Sequence, residues 1–155
     1  MRRGMVTIGL MLLVLAVGCR KPNTSVGAGA RSPEQAVVQF LDAARAKDMD
    51  QMSAVWGNAD GPTRDRVERQ ELERRLLIMI CFFKHDESRL APAQMGEAGR
   101  TIIRADIKQG PKTATVPFTL IKNSRTDMWF VEDVDLRPLR EFCSPEAAGG
   151  ASPRP

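Results

Sequence analysis

The chain has 155 residues, with 23 basic and 19 acidic side chains, a formal charge of +4, and a composition 43% hydrophobic but only 5% aromatic. That length holds one hydrophobic core and excludes a second domain of ordinary size. The two charge signs nearly balance without clustering, which excludes nucleic acid as a partner, because neutralising phosphates needs a concentrated basic surface.

The first elements are an address. Arg2 and Arg3 make a positive start, and residues 5–18 form an uncharged apolar run. Its fourteen residues suit the hydrophobic region of a signal peptide, whereas a helix that crosses a bilayer needs about 20. The run closes on Leu15-Ala16-Val17-Gly18-Cys19, which resembles the bacterial lipobox, with Ala16 where that motif more often has Leu. The resemblance implies cleavage before Cys19, diacylglycerol on its thiol, and membrane lipid as a partner through that residue. The competing reading is an ordinary secretory signal followed by an unrelated cysteine. Arg20 after the Cys, rather than Asp, implies by the same resemblance a place in the cell envelope, on the periplasmic face of the outer membrane where the cell has one. Removing residues 1–18 leaves 21 basic and 19 acidic side chains, a formal charge of +2.

Residues 20–31 are small, polar and aperiodic, the composition of a flexible spacer between lipid and domain. Gly27-x-Gly29 follows no strand and lacks a third glycine, so it is not read as a phosphate loop. Residues 144–155 combine Pro, Gly, Ala and Ser without apolar periodicity, which predicts disorder. The folded unit is then 32–143, without internal repeats.

Its first helix starts at Ser32 as cap, with Pro33 in the first position and Gln35 completing a capping box. Val37, Phe40, Leu41 and Ala44 share one face, and the helix ends near Lys47. Asp48 and Gln51 form a second box, opening a short helix with Met52, Val55 and Trp56 on its apolar side and Gly57 at its end. Residues 58–62 read as a loop. A third helix is predicted from Thr63 to about Phe83, with Asp65–Arg69 and Glu71–Arg75 as pairs one turn apart. Its second half, residues 76–83, is wholly apolar and is expected to be enclosed on nearly all sides.

From Ser88 the period becomes two. Ile103, Ala105 and Ile107 alternate with charged residues, Gly110-Pro111 turns the chain, and Ala114, Val116, Phe118 and Leu120 repeat the alternation. Pro117 has no amide donor, which places that strand at an edge or bulges it there. Residues 128–131 are apolar on both faces, as for a strand covered by helices on one side and lining a space on the other. Helices followed by antiparallel hairpins make the class α+β, with a sheet of about four strands.

Ser32-Pro33-Glu34-Gln35-Ala36-Val37 through Phe40-Leu41, the Lys47-Asp48-Met49-Asp50 step, and Trp129-x-Val131 resemble the nuclear transport factor 2-like (cystatin-like) cone fold, in particular small bacterial lipoproteins that carry it. The resemblance implies a curved antiparallel sheet around the helices, with a cavity used for binding, catalysis or dimer contacts. Trp129, Val131, Asp133 and Asp135 are the candidate pocket residues. Fold likeness does not choose among the uses.

Catalysis is poorly supplied. Proton-shifting enzymes use a carboxylate base with oxyanion donors such as Tyr, and this chain has no Tyr. Its single histidine, His85, is expected at a solvent-facing helix end. No Gly-x-Ser-x-Gly, His-Glu-x-x-His or Cys-x-x-Cys occurs, so no metal, cofactor or nucleophile set is indicated. Asp133 and Asp135 share a strand face beside Glu132, as cation ligands, a base if enclosed, or plain partners of Arg137 or Arg140. After export, Cys81 and Cys143 are either a disulfide or a buried small residue and a free thiol. Three readings follow: a non-catalytic domain binding a small apolar ligand or another envelope protein, a cone-fold enzyme of isomerase or dehydratase type using Asp133 or Asp135, and a dimerisation or scaffold module using the exposed sheet face, homodimer included.

Overall fold

The computed structural model describes residues 27–144. The apolar leader, Cys19 and most of the spacer precede that range, and all but the first residue of the expected disordered tail follows it.

Local chemistry sets the first two helices. Helix α1, Pro33–Ala46, begins where Ser32 Oγ accepts the Gln35 amide at 3.2 Å and ends where Lys47 turns left-handed at φ 57°. Helix α2, Met49–Val55, begins where Asp48 Oδ1 accepts the Gln51 amide at 3.0 Å. The expected loop over 58–62 contains a minute hairpin, β1 (Gly57–Asn58) with β2 (Gly61–Pro62). A Cβ on Gly57 would collide with the Gly61 carbonyl oxygen and lie 2.9 Å from the Phe130 ring. Gly57→Ala is therefore expected to cost about 2 kcal/mol by overpacking, read as a lower urea midpoint with unchanged slope.

The third helix differs from expectation in two ways. Thr63–Asp65 form a separate 3-10 turn, and α3 runs Arg69–Phe82 from a Glu68 cap whose carboxylate accepts the Gln70 and Glu71 amides at 2.9 and 3.2 Å. Asp65 thus lies outside the helix, and Arg69 pairs with Glu73 at 2.9 Å instead, whereas Glu71–Arg75 forms at 2.7 Å. The apolar stretch 76–83 is not enclosed either. Helix α3 packs on α1 and α2 through Leu72, Leu76 and Met79, leaving Leu77 58% and Ile78 50% exposed. Phe83 is buried and Ile80 and Phe82 are half-buried against the core, so Leu77 and Ile78 are the large apolar side chains of this stretch left outside.

The sheet has five strands: β3 (Glu87–Leu90), β4 (Gln94–Met95), β5 (Thr101–Gln109), β6 (Lys112–Lys122) and β7 (Trp129–Val134). All pairs are antiparallel, in the order β3-β5-β6-β7, with β4 also paired to β5. The α+β class holds, with one strand more than about four. Register Ile107 to Ala114, Ala105 to Val116 and Ile103 to Phe118 puts both predicted apolar rows on one face, against α1. Pro117 does not mark an edge, because β6 lies between β5 and β7, and the bulge comes two residues later. Its missing donor faces the β7 side just past the end of that strand, where the Asp135 amide donates to the Pro117 carbonyl at 3.2 Å.

Both ends are tied in. The spacer reading fails at its last residues: Ala30 is buried and exchanges backbone hydrogen bonds with Trp129 at 2.9 and 2.7 Å, so the fold starts before Ser32. At the other end a 3-10 turn, Arg137–Leu139, buries Leu139, and Phe142 follows it into the core. Cys143 then bridges to Cys81 with a Cα separation of 5.2 Å, which decides for the disulfide. Among the described residues no helix is long and apolar enough to cross a membrane.

Candidate functional site

The space between α1 and the sheet, where a cavity was expected, is filled. Phe40, Phe83 and Phe118 meet there with ring centroids 5.3 to 5.9 Å apart, and the Phe40 ring stands edge-on to both others. Ile103, Ala105, Ile107, Val116, Leu120 and Val131 around them are 0% exposed. A water-sized void would leave such side chains some accessible surface, and they have none. Val131 is therefore core, and Trp129 is half-buried against it beside Ala30. Grooves do occur on the outside, including an open one of about 870 Å³ along α1 lined by Arg31, Val38, Asp42 and Met128.

The carboxylates gather in sequence but not around a pocket. Thr119 faces Asp133 and Leu120 faces Val131, so Glu132 is the extra residue of a bulge. Glu132 reaches Arg100 by two hydrogen bonds of 2.5 and 2.9 Å, an ion pair that raises the Arg100 pKa. Asp133 is exposed. Strand β7 ends at Val134, so Asp135 does not share a strand face with Asp133, contrary to expectation. Asp135 instead accepts from Arg137, at 2.6 to 3.1 Å from the guanidinium and 3.0 Å from the amide. These side-chain hydrogen bonds first, then the backbone one, hold its pKa down at about 2. A proton-abstracting base needs the opposite shift.

A pH dependence follows from that direction. The folded pKa lies below the ordinary 3.8, so the contribution of Asp135 is complete above 3.8 and is lost as pH falls from there toward about 2. Asp135→Asn is expected to flatten the dependence of the urea midpoint across that interval.

His85 also departs from expectation, being 5% exposed rather than solvent-facing. Its Nδ1 lies 2.7 Å from the Phe83 carbonyl, which can only accept, so Nδ1 carries the proton and caps the end of α3. Nε2 has no hydrogen-bond partner among the described residues. The ring serves the turn from α3 into β3.

The outer sheet face, which the scaffold reading expects to be exposed, is covered by no helix among the described residues. Arg104, Asp106, Lys108, Thr113 and Thr115 are exposed there. Thr115 Oγ1 donates to Asp106 at 2.6 Å, and Arg104 donates to Gln94 at 2.6 Å. The alternation of β5 and β6 carried the signal, since a strand with one apolar row has a second row that needs another surface or water. Among the described residues no cluster of His, Cys, Asp and Glu has metal-holding geometry. Compared with protein-family models, curated proteins and solved structures, the chain matches none of them.

Proposed function

We propose that this chain is a lipid-anchored protein of the bacterial cell envelope whose domain works by surface contact with another envelope protein, without turning over a substrate or enclosing a ligand. The observation that carries the reading is the filled interior: six sheet and strand side chains without accessible surface leave a ligand no room between helix and sheet. The anchor rests on Arg2, Arg3, the uncharged run 5–18 and Cys19. The disulfide adds support, because such bonds persist in oxidising compartments. The finer architecture, a sheet curved around α1 as in nuclear transport factor 2-like proteins, belongs to the same proposal. It is supported by contacts of α1 with β5, β6 and β7 alike and by the bulge that bends β7.

The test has two arms. Cells fed a clickable fatty acid are expected to label the parent chain and not Cys19→Ala. Photo-crosslinkers at Thr113 and Thr115 are expected to trap another envelope protein at a defined mass, and native mass spectrometry of the purified chain to give the acylated polypeptide alone. A stoichiometric small molecule retained by the protein would overturn the contact reading, and label surviving in Cys19→Ala would overturn the anchor.

A further inference from the structure

The lipid anchor is the premise for one further step. We propose that the outer side of α3 around Leu77 and Ile78 lies on the bilayer that carries the anchor, with anionic phospholipid headgroups against Arg74 and Arg75. Leu77 and Ile78 are adjacent and at least half exposed, and Cys81, one turn on, is exposed too. The other large exposed apolar side chains of the described residues, Val38 and Met95, stand on separate elements.

The rim has the matching charge. Arg74 and Arg75 precede the two aliphatic residues by one turn, so they share their side of the helix. Both reach the same carboxylate, Glu71, at 2.9 and 2.7 Å, while Glu73 pairs with Arg69 at 2.9 Å, so α3 as a whole carries three arginines against two glutamates. Exposed Lys84 follows the helix at its other end, with no carboxylate of the described residues within ion-pair distance. Arg20 and Lys21 follow Cys19 in the sequence. Basic groups around a short apolar strip suit an interfacial helix facing anionic lipid.

Reach keeps the domain close to the bilayer. Eight residues lead from Cys19 to Gly27, about 28 Å at full extension. A domain of 118 residues has a radius of gyration of roughly 13 Å and is about 35 Å across. The tether is shorter than the body it holds, so the domain stays within one diameter of the lipid, and the face with paired apolar side chains gains most by touching it. A second copy of the chain fits less well, since two half-exposed aliphatic side chains are far short of the ~800 Å² per partner of a stable interface.

The experiment uses the full acylated chain in vesicles of phosphatidylethanolamine and phosphatidylglycerol with acyl chains brominated to quench indole. In Ile78→Trp the added fluorescence is expected to be quenched beyond the background of Trp56 and Trp129 measured in the parent. That excess is expected to fall about fivefold when phosphatidylglycerol is omitted, or when Arg74→Glu and Arg75→Glu are combined. Mass spectrometry of the same sample reports the acyl group, so a failed anchor is seen separately. In that case the chain coupled to a maleimide lipid through Cys19 gives the same readout. An attached chain whose introduced indole escapes quenching overturns the docking, as does a spectral shift that follows protein concentration without lipid.

Discussion

Phe118→Ala is expected to lower the unfolding free energy by about 3–5 kcal/mol, the range for deleting a buried aromatic ring from a core that relaxes only partly. Phe118 has no accessible surface, touches the rings of Phe40 and Phe83, and faces Ile103 on one neighbouring strand and Val134 on the other. It sits in the middle strand of its part of the sheet, where no surface loop can collapse into the gap. A domain of 118 residues has roughly 6–18 kcal/mol in total, so the variant loses a large share of its stability. The same substitution tests how the protein works. The variant is expected to gain thermal stability in benzene or xenon, because an apolar hole stays dry and takes up such guests, while the parent does not respond. A parent that binds them equally well has room inside, and the contact reading fails with it.

Cys81→Ser combined with Cys143→Ser is expected to cost about 4 kcal/mol, the loop-entropy value for a bridge that closes 62 residues. That loop contains the whole five-stranded sheet. The native contacts of the C-terminal segment remain, since Leu139 and Phe142 are buried with or without the bond. The loss therefore acts chiefly through the wider freedom of the unfolded chain. Urea midpoints of the double variant should fall while its far-ultraviolet circular dichroism stays native, and reductant should lower the parent to the same midpoint. Parent and variant within about 1 kcal/mol of each other would show that the cross-link restrains little.

Features set by neighbours within three or four residues were legible in the sequence. Ser32 and Asp48 cap their helices because each hydroxyl or carboxylate meets an amide three residues on. The rows Ile103-Ala105-Ile107 and Ala114-Val116-Phe118-Leu120 face inward because period two leaves them no other side. What failed depended on distant parts of the chain. Residues 76–83 read as enclosed because composition counts apolar residues without saying how many neighbours arrive, and only one stripe of α3 is met. Strands β3 and β4 hold few apolar residues and exist through backbone pairing to β5. His85 stands among charged residues, yet the unpaired carbonyl of Phe83 draws the ring inward. For the candidate site, the pairing of Asp135 with a nearby Arg was readable at a spacing of two. The Arg100 to Glu132 bond joins residues 32 apart across a bulge and left no local trace.

The entry of the chain at Gly29 and Ala30 also decides how the protein bears mechanical load. The Gly29 amide is held by the Ala54 carbonyl at 2.8 Å, and Ala30 and Trp129 grip each other in both directions. Tension arriving from upstream is thus taken up by β7 and the end of α2 before it reaches the first turn of α1. A pull on the chain before Gly29 would peel a sheet margin rather than unwind a helix, so the three phenylalanine rings stay seated while the margin yields.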